Sequence, residues 1–213
     1  MNQVNLKLYL VTNSEGHDEA EFLQIVAQAC AGGVTLVQLR EKERAGKDFY
    51  QLALKVKAIT DSYGVPLLIN DRLDIALAID AAGVHLGQSD LPVAVARSIM
   101  GPNKIIGASA KTLEQAIAAT AAGADYLGVG AIYPTTTKVI TVLTSIDTLK
   151  EITDSVAIPV VAIGGLNADN LDILSASGAS GIAVVTAIIN STDPQKAAAE
   201  LSQLVEAKLQ LSR

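Results

Sequence analysis

Tryptophan is absent from this 213-residue chain, whose only aromatic residues besides histidine are five Tyr and two Phe. So few ring faces do not suit a platform on which nucleic-acid bases stack. Positive charge is also scarce: 16 Lys and Arg stand against 22 Asp and Glu, a net charge of −6, and the pI is near 4.9. That balance argues against broad binding to nucleic acid or to an anionic membrane, and neither is expected as a partner. Any anion must be met by cations gathered locally. Cysteine occurs once, at Cys30, within an apolar helical pattern. No disulfide framework can form within one chain, and the thiol reads as a buried inert group rather than a nucleophile. With two histidines, a zinc centre is not expected. No apolar run approaches the ~18 residues of a membrane span, and Met1 to Leu10 lacks the charged start and apolar core of a signal peptide. A soluble cytoplasmic protein is expected.

Half of the residues are hydrophobic and 18% are charged, which fits a folded chain with a well-buried core. We expect one domain over residues 1–213. Short β-branched runs alternate with stretches of helical period. Strands are expected at Lys7–Thr12, Thr35–Glu41, Pro66–Asn70, Gly83–Gly87, Lys104–Ala110, Tyr126–Ile132, Pro159–Gly165 and Gly181–Ile188. Helices read well at Glu19–Ala31, Lys47–Tyr63, Leu113–Ala122, Ala168–Ser177 and Pro194–Leu209, and Thr112 with Gln115 resembles a capping box. An internal echo, "ACAGGVTLVQ", "IDAAGVHLGQ", "AAGADYLGVG" and "ASGASGIAVV", puts alanine and glycine before each even-numbered strand, as if one helix-to-strand turn were built four times. This pattern predicts an α/β fold, a (β/α)8 TIM barrel, with a doubly wound open sheet as the alternative. The barrel is preferred because polar residues gather after the strands, where such barrels place their sites.

In "TLVQLREK", Val37 and Leu39 alternate with Gln38 and Arg40, and Lys42 continues the polar face if the chain stays extended. Gln38 and Arg40 fit poorly as surface residues in a strand covered by helices, so a ligand role is expected. "LLINDR" brings Asn70 and Asp71 to the end of the third strand, where an ordinary helix N-cap is an equal reading. "HLGQSD" brings Asp90 to the neighbouring rim, and two such carboxylates suit a hard divalent cation. His85 reads as a hydrogen-bonded interior histidine rather than a general base. Ser109 and Lys111 end the fifth strand, with no assignable Ser/His/Asp triad. Gly164 and Gly165, then Val185 and Thr186, end the last two strands, where many barrels hold phosphate.

"GVGAIYPTTTK" leaves the sixth strand through Pro134, which directs the chain outward and presents Thr135, Thr136, Thr137 and Lys138. A phosphate suits these donors, as does plain solvation.

Together, "LYLVT", "QLREK", "NDR", "GVHLGQSDLP", "GVGAIYPTTTK", "VAIGGL" and "GIAVVTAI" resemble the thiamine-phosphate synthase family over nearly the whole chain. The resemblance implies a magnesium-dependent transferase that joins a hydroxymethylpyrimidine diphosphate to a thiazole phosphate, or its carboxylated form, and releases diphosphate. It implies that the segment Gln38, Leu39, Arg40, Glu41 and Lys42, with Asn70 and Lys138, contacts the pyrimidine diphosphate, and that Ser109 lies beside the pyrimidine. Arg40, Lys42 and Lys138 would act on the leaving group, and Asp71 and Asp90 would hold Mg2+. Thr135, Thr136, Thr137, Gly165, Val185 and Thr186 would hold the thiazole phosphate. The family often forms homo-oligomers. Lys111 stands where many relatives carry histidine, and "VITVLTSID" after Lys138 is more apolar than is common there. A thiazole tautomerase and a catalytically silent phosphate-binding barrel are the competing readings.

Overall fold

Eight parallel strands close on themselves in sequence order, with the first hydrogen-bonded to both the second and the last. The open sheet is thereby set aside. The computed structural model describes residues 4–134 and 143–209. The strands are β1 (Leu8–Val11), β2 (Leu36–Leu39), β3 (Leu67–Asn70), β4 (Gly83–Leu86), β5 (Ile105–Ala110), β6 (Tyr126–Val129), β7 (Val160–Ile163) and β8 (Gly181–Val184). Around them run α1 (Glu19–Ala31), α2 (Gly46–Ser62), α3 (Leu73–Ala78), α4 (Val93–Met100), α5 (Leu113–Ala121), α6 (Ile146–Ser155), α7 (Thr186–Ile189) and α8 (Pro194–Lys208), with a 3-10 turn at Leu171–Leu174.

The strands are apolar almost throughout because both of their faces are covered. Leu8, Leu10, Val37, Leu39, Ile69 and Leu127 point outward into the layer between sheet and helices. Tyr9, Leu36, Leu68, Ile105, Tyr126 and Val161 fill the inside. Tyr126 fits only because β5 has no side chain at Gly107, where a Cβ would stand 2.1 Å from the ring.

The helix termini follow local chemistry. Asp18, Ser145 and Asp193 accept from the backbone N–H groups of Glu21, Thr148 and Lys196, at 2.9, 3.0 and 2.9 Å, a type of cap that contributes about 1 kcal/mol. The expected capping box at α5 is half made. Thr112 accepts from Gln115 N at 3.3 Å, but the Gln115 side chain reaches back to Lys111 N, one residue early. In three of the four sequence echoes the turn uses a left-handed glycine, at 33, 123 and 178; in "IDAAGVHLGQ" Asp80 takes that conformation instead, at φ 52.

Several expectations need correction. The run Gly181–Ile188 is not one strand: at Val185 (φ −119, ψ −82) the chain leaves extended geometry and turns into α7. Its β-branched composition suits a strand, but tertiary position overrides that preference. Of Ala168–Ser177, only the Leu171–Leu174 turn is helical, and it is 3-10. The second strand ends at Leu39 rather than Glu41, the sixth at Val129 rather than Ile132, and the seventh at Ile163 rather than Gly165.

At the N-terminal end of the barrel, Arg97 binds the chain together. Its guanidinium donates to the carbonyls of Gly101, Lys104 and Gly123 and to Asp125 Oδ2 at 2.6 Å. Asp125 in turn accepts from Ile106 N at 2.9 Å, so one ion pair joins α4 to the entries of β5 and β6.

Candidate active site

A cavity of about 540 Å3 opens at the C-terminal ends of the strands. Gln38 rises into it from β2, with Arg40 and Lys42 from the loop that follows. Arg40 is held by its backbone N–H, which donates to Thr12 Oγ1 at 3.1 Å. Asn70 and Asp71 come from the end of β3, Asp90 from the loop after β4, and Ser109 from β5. Gly165, Val185 and Thr186 line the opposite wall, after β7 and β8. Thus most of the expected site residues meet in one space. Thr135, Thr136, Thr137 and Lys138 lie outside the described residues.

Leu39 and Glu41 are not on the cavity wall. Leu39 faces the helices, fully buried. Glu41 turns away because its carboxylate is engaged behind the rim: Oε2 accepts from Ser14 Oγ at 2.7 Å and from Arg44 Nε at 3.1 Å. Arg44 also donates to Ser14 at 3.3 Å. This triangle ties the loop after β1 to the loop that carries Arg40 and Lys42.

The electrostatics are concentrated at one rim. Lys42 Nζ lies 3.8 Å from Asp71 Oδ2. Desolvation, together with the adjacent Asp90 carboxyl, raises Asp71 to about 6. Lys42 and Asn70 oppose that rise without cancelling it. Asp71 adopts φ 62, in the left-handed region that Asp tolerates better than most residues. Asp90 is oriented by Gly87 N, which donates to Oδ2 at 2.7 Å. Two hard oxygen donors with mutual repulsion suit magnesium, which typically takes one or two carboxylates and completes its shell with water and phosphate oxygens. Among the described residues no group of three His, Cys, Asp or Glu side chains converges to hold a metal by protein ligands alone.

A chain of hydrogen bonds crosses the floor of the cavity. Gln38 Nε2 donates to Tyr9 OH. Tyr9 OH meets Tyr126 OH at 2.8 Å, Tyr126 OH meets His85 Nδ1 at 2.8 Å, and His85 Nε2 meets Ser109 Oγ at 2.9 Å. The sequence signal for the two tyrosines was their inward position on β1 and β6, which becomes visible only once the barrel register is known. Burial raises both phenols, keeping them protonated. His85 sits deep in the barrel, where desolvation lowers it to about 4. A serine beside a histidine invites comparison with a nucleophile and its base. Here, however, the second imidazole nitrogen meets a phenol instead of a carboxylate, and burial opposes the imidazolium, so activation of Ser109 is disfavoured.

The far wall is shaped by backbone. Gly165 adopts φ 63, and a Cβ there would lie 2.7 Å from both Pro134 O and Tyr133 Cβ. Its carbonyl accepts from Asn170 Nδ2 at 2.9 Å. Gln88, Lys111 and Gln115 also line the cavity. Of these, Gln88 and Gln115 carry no sequence pattern that marks them as site residues.

A family model described as thiamine monophosphate synthase matches residues 8–188. The thiamine-phosphate synthase of Lacticaseibacillus paracasei is 54% identical over 193 residues, covering 91% of this chain and 91% of its own length. That of Methanobrevibacter smithii is 52% identical over 208 residues, covering 98% of this chain and 99% of its own. Among solved structures, a thiamine phosphate pyrophosphorylase from Pyrococcus furiosus matches with a TM-score of 0.87 at 40% identity, covering 96% of this chain and 98% of that one.

Proposed function

The chain belongs to the thiamine-phosphate synthase family and is a transferase of thiamine biosynthesis, and we propose that its cavity joins 4-amino-5-hydroxymethyl-2-methylpyrimidine diphosphate to 4-methyl-5-(2-phosphoethyl)thiazole, or its carboxylated form. The observation that carries this reading is the meeting of Arg40 and Lys42 with the Asp71 and Asp90 carboxylates at one rim, opposite Gly165, Val185 and Thr186. A tautomerase acting on a monophosphate has no diphosphate for the first group to bind. The whole chain would serve as one catalytic domain.

In the proposed reaction, the bond between the exocyclic methylene carbon and the diphosphate oxygen breaks, and the electron pair leaves with diphosphate. The aminopyrimidine ring spreads the resulting cation. The thiazole nitrogen then donates its lone pair to that carbon, giving thiamine phosphate, with loss of CO2 where the carboxylated thiazole is the acceptor. Asp71 and Asp90 would hold Mg2+, which when bound offsets charge on the diphosphate. Arg40 and Lys42 contribute preorganised positive charge to the leaving group, with Lys138 assigned the same role. Gln38, Asn70 and Ser109 orient the pyrimidine half. Gly165, Val185 and Thr186, with Thr135, Thr136 and Thr137, receive the thiazole phosphate. Leu39 and Glu41 support the segment around Arg40 rather than touch substrate through their side chains.

Among the described residues no helix is long and apolar enough to cross a membrane. We place the enzyme in the cytoplasm, with small-molecule substrates as its ligands and with neither nucleic acid nor membrane as partner. Self-association into a homo-oligomer belongs to the same reading. The test is product formation by purified protein supplied with both substrates, with and without magnesium, read as fluorescence after oxidation of the thiamine product. Magnesium-dependent product is expected. Folded protein that binds thiazole phosphate but makes no product would overturn the reading.

A further inference from the structure

The hydrogen-bond chain on the cavity floor has a direction. Gln38 Nε2 is a donor and has no lone pair to offer, so the Tyr9 oxygen accepts from it. The Tyr9 hydrogen then has one place to go among its neighbours, the Tyr126 oxygen. Tyr126, having accepted, donates to His85 Nδ1. A neutral imidazole that accepts at Nδ1 carries its hydrogen on Nε2, and that hydrogen points to Ser109 Oγ. Reversing any middle link leaves a buried phenol hydrogen without an acceptor. The Ser109 hydroxyl is thereby left with its own hydrogen to direct into the cavity that it lines.

We propose that His85 is a positioning residue: through its Nε2–H tautomer it fixes Ser109 as a donor to the ligand, so this wall selects a heterocycle that presents a ring-nitrogen acceptor. The inference rests on the pyrimidine reading of the cavity for its ligand, but not for its tautomer. The chain requires a neutral imidazole, because Nδ1 has to accept from Tyr126. The glycines on β5 and β6 belong to the same arrangement, since a Cβ at Gly128 would stand 3.1 Å from the His85 ring.

The direct test is the tautomer in the intact enzyme. The chain has two histidines, so long-range proton–nitrogen spectra of 15N-labelled protein resolve two rings, and a His17→Asn variant identifies the remaining ring as His85. A neutral ring with the proton on Nε2 is expected at pH 7.5. A proton on Nδ1 would reverse the chain and overturn the proposal, and so would an imidazolium. This result is independent of catalysis, so it stands or falls separately from the proposed reaction.

The second test asks whether His85 acts through Ser109. Ser109→Ala and His85→Ala should each raise KM for the pyrimidine diphosphate about tenfold while leaving that for thiazole phosphate in place. The double variant should be no worse than Ser109→Ala alone, because coupled residues do not add. His85→Gln, whose amide can donate toward Ser109, should recover most of the loss. Additive losses, or losses shared equally by both substrates, would overturn the positioning role. Two pyrimidine inhibitors, each with one ring nitrogen replaced by C–H, complete the test. Wild-type protein should bind one of them about tenfold more weakly than the parent, and Ser109→Ala should bind that analogue and the parent alike. Equal binding of all three by the wild type would overturn the selectivity.

Discussion

Lys42 faces Asp71 across 3.8 Å at the cavity rim, yet Asp71 remains raised, to about 6. Desolvation and the neighbouring Asp90 carboxyl outweigh the lysine, which is half exposed and screened by solvent. The cost of withdrawing the carboxylate from water, more than the count of charges, therefore governs Asp71.

In metal-free protein this arrangement should cost stability, with a definite pH sign. A carboxyl raised from its usual 3.8 to about 6 binds its proton more tightly when folded, so folding is favoured at low pH and loses ground as pH climbs through that interval. Asp71→Asn should therefore raise Tm by roughly 2–6 °C above pH 6, and the gain should fade toward pH 4. Asparagine also tolerates the positive φ. Thermal melts in EDTA across pH 4–8 provide the check, and a gain that is equal at both ends would refute the charge argument.

Catalysis should show the opposite preference. Asp71→Ala and Asp90→Ala are each expected to lower magnesium-dependent turnover by about 100-fold or more, with folding intact by circular dichroism. Steady-state rates against magnesium concentration measure this, and unchanged turnover in both variants would remove the metal assignment.

Gly165→Ala tests the far wall. Its positive φ and the 2.7 Å approach to Pro134 O and Tyr133 Cβ leave no room for a methyl group, so the backbone must shift, by a change worth about 1–3 kcal/mol. KM for thiazole phosphate should rise about tenfold or more, and KM for the pyrimidine diphosphate should change much less. A selective effect on the pyrimidine substrate would contradict the assignment of the two walls.

Asp125→Ala addresses the end of the barrel remote from the site. It leaves the Arg97 charge with carbonyl acceptors but no counter-charge and removes the acceptor of Ile106 N, so stability should fall by about 3 kcal/mol, read from urea unfolding. At temperatures where the variant is folded, kcat and both KM values should match the wild type.

Much of this architecture was legible because each strand carries its own signature. Runs such as "VVAI" admit no polar face, and eight of them separated by helical segments leave few folds. Gln38 and Arg40 were visible as polar interruptions of such a run. Tyr9 and Tyr126 were harder, since a tyrosine among leucines reads as core, and its hydroxyl partners come from strands 29 to 117 residues away. Glu41 was named only through the resemblance, as part of a substrate-contacting segment. Its side chain is instead engaged by Ser14 and Arg44, partners that no spacing in the sequence announces. The short α7 escaped because periodicity needs more residues than it contains, and the 3-10 turn at Leu171–Leu174 was overextended into a helix over Ala168–Ser177.

Gly107 and Tyr126 occupy one volume between them: the ring lies where the missing Cβ would be. The two positions are therefore inherited as a single character. A descendant that enlarges residue 107 while keeping the tyrosine must pass through an overpacked barrel, whereas one that first shrinks residue 126 opens the path and loses the link between Tyr9 and His85. Among homologues, substitution at either position should accordingly be accompanied by change at the other, and lineages that retain His85 and Ser109 as a pair should also retain the glycine.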